Sequence, residues 1–362
     1  MRIGIVTQPL LSNYGGILQN YALQQVLKDL GHDPITINYR RKISLTRWLG
    51  STIRSTLFYF IPQKRRQFAK FKETLIVPRE KSIQSFLDQN IELTEEVTSY
   101  HPKLVNRYKL DVVITGSDQV WRPYYNLCLE EMYLRFVKQA GVKKIAYAAS
   151  FGTDEFEYTE GQILCCKKYA QRIDAISVRE LSGVDICRSY FGVDAVAVLD
   201  PTLLLGKAYY DGLCKDVPKE TKSSIVAYIL DMDEGKQRII DTVSKEQNLK
   251  ANVILAEGNS KSVSVECWLA MFRDAKYVIT DSFHGTVFSI IFQKPFLCIG
   301  NKMRGMARFN SLLSEFGLED RLIEVSEFSS FEVPPIDWQQ VNEVLKLEQH
   351  KSLRFLTNAL GK

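Results

Sequence analysis

The residues of this chain that could do chemistry gather at the ends of short apolar runs. The sharpest such place is Thr280-Asp281-Ser282-Phe283-His284-Gly285-Thr286. An apolar run ends there and a helical pattern begins, so Asp281 or Ser282 can cap the helix. The free N–H groups and positive dipole end of a helix start favour a phosphate or a carboxylate. An anion held beside a histidine raises its pKa and makes it a useful acid. Of the four histidines, 32, 101, 284 and 350, only His284 stands at the carboxyl end of a candidate strand. Asp281, Ser282 and Gly285 are therefore candidate anion-binding residues and His284 a candidate acid. The plainer alternative is a structural histidine.

Four other places carry chemistry. Arg304 and Arg308, in NKMRGMARF, offer planar forks for a carboxylate or phosphate; the plain alternative is a solvated loop. Arg179 ends an apolar run in Ser177-Val178-Arg179-Glu180 and would point into a cleft, unless it pairs with Glu180 or a neighbouring helix. Asn13, Tyr14, Gly15 and Gly16 follow the first apolar run, and adjacent glycines let a backbone approach a ligand closely. Ser117, Asp118, Gln119 and Trp121 follow another such run; polar groups beside an aromatic face suit a sugar, although a capped helix start with a core tryptophan fits equally. The short acidic pattern Asp231-Met232-Asp233 reads better as solvated carboxylates than as a metal site. No GxGxxG follows the first apolar run, and neither GxxxxGK[ST] nor GxSxG occurs, which weakens dinucleotide, P-loop and α/β-hydrolase readings.

The elements that must position these residues alternate. Arg2–Thr7, Pro34–Tyr39, Asp111–Thr115, Lys144–Ala149, Ala175–Val178 and Ala195–Leu199 read as strands, with helices at Ile17–Leu30 and Glu160–Arg172. Lys70–Leu93 reads as irregular. The alternation restarts with strands at Ile225–Leu230, Asn252–Ala256, Tyr277–Thr280 and Phe296–Ile299. The helices between them fall at Gly235–Gln247, Cys267–Ala275 and Gly285–Phe292. Strand–helix–strand order implies parallel sheets. The expectation is an α/β protein of two Rossmann-like parallel-sheet domains facing a cleft. Residues 1–210 would form the first domain and 211–330 the second, with a helical segment over 331–362.

Of the 362 residues, 45 % are hydrophobic and 25 % charged, a globular balance. The seven cysteines include no CxxC pair, which argues against a disulfide framework and a structural zinc, and no run spans a bilayer. The N-terminus lacks signal-peptide character, so a cytoplasmic protein with reduced thiols is expected. The net charge of +5 is local: Arg40–Lys72 holds ten basic and no acidic residues, leaving 37 basic and 42 acidic elsewhere. That distribution speaks against nucleic acid as the partner. Trp48, Leu49, Ile53 and Leu57 give the segment an amphipathic stripe suited to an anionic membrane face, or to its own domain.

The blocks GIVTQPLLSNYGGILQNYALQQVLKDLGH, DVVITGSDQVW, KKIAYAASFG, AISVRE, VLDPTLLL and YVITDSFHGTVFSIIFQKPF, in this order and spacing, resemble the polysaccharide pyruvyl transferase family from about Arg2 to Leu322. The resemblance implies a GT-B-like fold. It implies transfer of a pyruvyl group from phosphoenolpyruvate to two sugar hydroxyls, forming a cyclic ketal in polysaccharide biosynthesis. No cofactor or metal is implied; the partners are phosphoenolpyruvate and a saccharide acceptor, lipid-linked if residues 40–72 meet the inner membrane face. Arg179 and His284 match the family's characteristic arginine and histidine. The first domain would take the acceptor, through Asn13–Gly16 and Ser117–Trp121, and the second the donor. Ser282 stands where many members carry an arginine, and Arg304 or Arg308 would replace it. The rival readings are a nucleotide-sugar glycosyltransferase of the same architecture and a non-catalytic sugar-binding or scaffold protein.

Overall fold

The computed structural model describes residues 1–40, 81–126, 128–219, 224–255, 263–328 and 334–361. Almost all of the basic segment therefore lies outside the described residues, and with it the amphipathic stripe. Where the chain resumes, Lys81–Asn90 is a helix rather than irregular chain: Ile83, Phe86 and Leu87 recur at helical spacing and are buried.

Two parallel sheets carry the fold. The first contains β1 (Arg2–Val6), β2 (Asp33–Thr36), β3 (Val112–Thr115), β4 (Lys143–Ala149), β5 (Ala175–Val178) and β6 (Val196–Ala197) in the order β2-β1-β3-β4-β5-β6. The second contains β7 (Ser224–Ile229), β8 (Lys250–Leu255), β9 (Tyr277–Thr280), β10 (Phe296–Ile299) and β11 (Leu322–Ile323) in the order β11-β10-β9-β7-β8. Helices cover both faces of such sheets, so central strands are continuously apolar. All four residues of β3 and of β9 are buried.

Each sheet reverses its strand order once, between β1 and β3 and between β7 and β9. Crevices open at the carboxyl ends of strands at such switch points. The loops after β1, β3, β7 and β9 all contribute to one cleft, lined by Ser12, Asn13, Asp118 and Gln119 from one domain and Leu230, Asp281, Ser282 and His284 from the other.

The domains are held together by apolar and backbone contact. Tyr14, from the Tyr14–Asp29 helix, stacks on Trp268 at 5.5 Å and meets Tyr228 edge-on at 6.3 Å. Gly305, at φ +92°, lies so close to the Gly152 carbonyl that a Cβ would collide with backbone. The Trp338–Leu360 helix returns from the second domain to the first, where Ser352 Oγ accepts the Leu199 N–H (3.0 Å) and Lys143 donates to the Ala359 carbonyl (3.1 Å). Among the described residues, no helix is long and apolar enough to cross a membrane.

Candidate functional site

The centre of the cleft is a buried charge cluster drawn from three strand ends. Asp200 follows β6 and caps the Pro201–Leu204 helix, with its Oδ1 accepting from Thr202 N (3.0 Å) and Thr202 Oγ1 (2.6 Å). A proline at the first helical position fixes this cap. Oδ2 accepts from Arg179 Nη1 (2.6 Å) and Ser117 Oγ (2.8 Å), and His284 Nε2 stands 3.6 Å away. Burial alone would push the Asp200 carboxyl up; His284 and then Arg179 more than reverse this and hold it well below the usual carboxylate range. Arg179 Nε and Nη2 and His284 Nε2 are buried without a hydrogen-bond partner.

Ser282, not Asp281, caps the Phe283–Ile291 helix, its Oγ accepting from Gly285 N (3.3 Å). The start of this helix leaves Phe283 and His284 N–H groups with no intrahelical acceptor. The Asp281 carboxylate is fully engaged within its own domain, accepting from Leu230 N (2.6 Å), Asn301 Nδ2 (3.1 Å) and Lys236 Nζ (2.6 Å). It ties β9 to the end of β7, so it shapes this loop rather than offering a free group.

Arg308, near the start of the Ala307–Phe316 helix, is 5 % exposed. Its Nη2 donates to the Arg304 carbonyl (2.9 Å) and its Nε has no partner. Among the described residues no carboxylate lies within ion-pairing distance of it. Burial and then the like charge of Arg179 pull the guanidinium down to about 10. Phe283 separates the two arginines, with the Arg179 and Arg308 guanidinium carbons 4.5 and 5.4 Å from its ring centre. Arg304 differs: its Nε pairs with Asp231 Oδ2 at 2.6 Å, which also takes Asp231 out of any free acidic pair. Of the two arginines offered by the sequence, Arg304 is paired with Asp231, and Arg308 is the buried one with no ion pair among the described residues.

The glycine loop meets His284 from the opposite domain. Asn13 caps the Tyr14–Asp29 helix and accepts from Gly16 N (3.2 Å), which places both glycines inside its first turn. Gly15 abuts the imidazole: an added Cβ would collide with Nδ1. Gly15→Ala is therefore expected to displace His284 and lower turnover about 100-fold, since misplacement by about 1 Å has that effect. The overpacking should cost about 1–3 kcal/mol. Turnover beside thermal unfolding of the same variant checks this; unchanged turnover would remove His284 from the chemistry.

Three acceptor-side expectations change. Trp121 is wholly buried, donates Nε1–H to the Met132 carbonyl (3.1 Å) and stacks on Tyr133 at 4.6 Å. It is a core residue and offers no sugar face. Tyr14 is spent on the domain contact, its hydroxyl donating to the Val263 carbonyl (2.7 Å). Ser117 belongs to the Asp200 cluster. Asp118 and Gln119 do line the cleft, and Asp118 holds a left-handed φ of +88°, a strained conformation of the kind found at functional sites.

Two residues at the site had no signal as chemistry. Asp200 was visible only as Asp-Pro after an apolar run, a cap pattern. Glu180 is fully buried; its Oε1 accepts from Phe151 N (2.5 Å) and Gly152 N (3.0 Å), bracing the loop that Gly305 touches.

The polysaccharide pyruvyl transferase model matches residues 13–303, which include Ser117, Arg179, Asp200 and His284 and stop just short of Arg304 and Arg308. The chain belongs to the polysaccharide pyruvyl transferase family. No curated protein matches it. Among solved structures, the UDP-N-acetylglucosamine 2-epimerase of Rickettsia bellii is similar over 99 % of this chain and 96 % of its own, at 10 % identity and a TM-score of 0.51. The UDP-GlcNAc 2-epimerase of Neisseria meningitidis bound to UDP-GlcNAc is similar over 99 % of both chains, at 8 % identity and a TM-score of 0.49. At such identities the likeness is one of fold: this pyruvyl transferase family member has two parallel-sheet domains in the GT-B-like arrangement.

Proposed function

We propose that the cleft transfers a pyruvyl group from phosphoenolpyruvate to two hydroxyls of a saccharide, forming a cyclic ketal in the synthesis of a cell-surface polysaccharide. The observation that carries this reading is Arg308, a buried cation without a carboxylate, beside the half-satisfied Arg179 and the Phe283–Ile291 helix start. Phosphoenolpyruvate brings both a phosphate and a carboxylate. Two arginine forks and a helix start are suited to two such groups.

His284 is placed to protonate the methylene carbon, which leaves an oxocarbenium-like centre at C2. One sugar hydroxyl adds there and loses its proton. The C2–O bond to phosphate then breaks, and a second hydroxyl closes the ketal. Asp200, 3.6 Å from His284 Nε2, orients the imidazole. The arginines hold the departing phosphate. Pyruvyl transfer of this kind needs no metal or cofactor. With phosphoenolpyruvate as the donor, the proposal includes a cytoplasmic location for the reaction.

The test is thermal unfolding with phosphoenolpyruvate, UDP or GDP, on wild type and His284→Ala. A ligand at 100 times its dissociation constant adds about 2.7 kcal/mol. Stabilisation by phosphoenolpyruvate alone, weakened in the variant, is expected. Stabilisation by a nucleoside diphosphate alone would sink the reading in favour of a glycosyltransferase.

A further inference from the structure

With Trp121 in the core, the aromatic surface beside the cleft lies three and four residues further along. Tyr124 and Tyr125, in the short Pro123–Tyr125 turn, are 59 % and 39 % exposed. Their rings meet at 80° with centres 5.2 Å apart, forming a corner.

The corner is built rather than incidental. Arg122 lies 5.7 and 5.2 Å from the two ring centres and is itself locked. It pairs with Glu157 at 2.8 Å, donates to Gln119 Oε1 at 3.1 Å, and reaches the Arg304 carbonyl of the other domain at 3.2 Å. Asn126 ties the turn down from the other side, donating to the Val120 carbonyl (2.8 Å) and accepting from Gln8 Nε2 (3.0 Å). The rings thus stand on the loop that brings Asp118 and Gln119 to the cleft, and Tyr125 is within electrostatic reach of Arg308, which also lines the cleft. Rigid tyrosines give contact area at little entropic cost, with an apolar face and a polar tip. A pyranose ring has the matching surface, an apolar C–H face edged by hydroxyls.

We propose that Tyr124 and Tyr125 form the step on which a pyranose ring of the saccharide acceptor rests, a subsite that depends on the pyruvyl-transfer reading of the adjoining cleft. The step holds the sugar by its face and leaves hydroxyl edges directed to the reacting centre.

The test uses the full chain and saturation-transfer NMR with methyl β-galactopyranoside and methyl β-glucopyranoside, with and without phosphoenolpyruvate, and with UDP as control. Wild type should saturate the ring protons of at least one glycoside. The Tyr124→Ala/Tyr125→Ala variant should bind it about tenfold more weakly, while Tyr124→Phe/Tyr125→Phe stays within about twofold. The melting temperature of each variant reports folding, and the phosphoenolpyruvate-induced shift reports the donor site. Undiminished glycoside binding in the alanine variant, an equal loss in the phenylalanine variant, no binding of either glycoside, or tyrosine-dependent binding of UDP instead would each overturn the step. Loss of the step with an intact phosphoenolpyruvate shift leaves pyruvyl transfer standing. Absence of that shift in wild type, with tyrosine-dependent glycoside binding intact, removes pyruvyl transfer and leaves a saccharide site.

Discussion

Replacing Arg308 with methionine is expected to abolish phosphoenolpyruvate binding and leave the unliganded protein more stable than wild type. The side chain is buried, close to the like charge of Arg179, and its Nε is unpartnered. Keeping such a cation out of water costs free energy that one hydrogen bond to the Arg304 carbonyl, the Phe283 ring and the more distant charges of Asp118 and Glu180 return only in part. Methionine fills similar space and can still lie against Phe283. Exchange of buried charge for apolar side chains commonly stabilises by about 1–4 kcal/mol. The lost donor should lower kcat/KM about 100- to 1000-fold, as loss of one charge-stabilising donor does elsewhere. Denaturant unfolding and ligand-induced melting shifts on one preparation check both halves. A retained phosphoenolpyruvate shift would refute the assignment, and a large loss of stability would make Arg308 a structural residue.

Asp200→Asn should do the opposite to stability and the same to activity. The amide keeps the shape of the Thr202 cap but removes the charge that holds Arg179 and His284. Breaking a buried pair from one side costs about 3–5 kcal/mol near neutral pH. Activity should fall about 1000-fold or more, because the imidazole loses the carboxylate that orients it. The pH dependence separates this from a packing defect. The Asp200 pKa is depressed in the folded protein, so its contribution is fully present above the unfolded value of about 4 and is lost as pH falls below it. The stability gap between wild type and variant should therefore narrow from about pH 4 downward. A gap that does not change with pH would mean the carboxylate is not held as its partners indicate.

The sheets were legible because parallel strands buried on both faces must be apolar along their whole length. β5, β9 and β10 fall at the residues their apolar runs suggested. The first helix begins at Tyr14 rather than Ile17, because the Asn13 cap draws both glycines into the first turn, and glycines in sequence argue for a loop. The Lys81–Asn90 helix escaped notice because its three buried residues are scattered among polar ones. At the site, local patterns located strand ends well and assigned partners poorly. Residue type offered Asp281 and Ser282 alike as the cap, and the pairing of Asp281 with Leu230 and Lys236 leaves the cap to Ser282. That Arg304 is held by Asp231 while Arg308 is not paired with it follows from a pairing more than seventy residues apart, which spacing does not encode. Trp121 illustrates the same limit: a tryptophan after a strand fits a platform or a core, and only Tyr133 and the Met132 carbonyl decide.

The hydrogen bond from Leu199 to Ser352 also sets a timetable. These residues are 153 apart in sequence, and the donor immediately precedes Asp200. During synthesis at roughly 5–20 residues per second, the chain around Asp200 waits on the order of 10–30 s before Ser352 is made. The first sheet can assemble early, but the segment carrying the Asp200 carboxylate gains its Ser352 anchor only after the whole second domain has been translated. Nascent chains would therefore be folded in their first half well before they could become active.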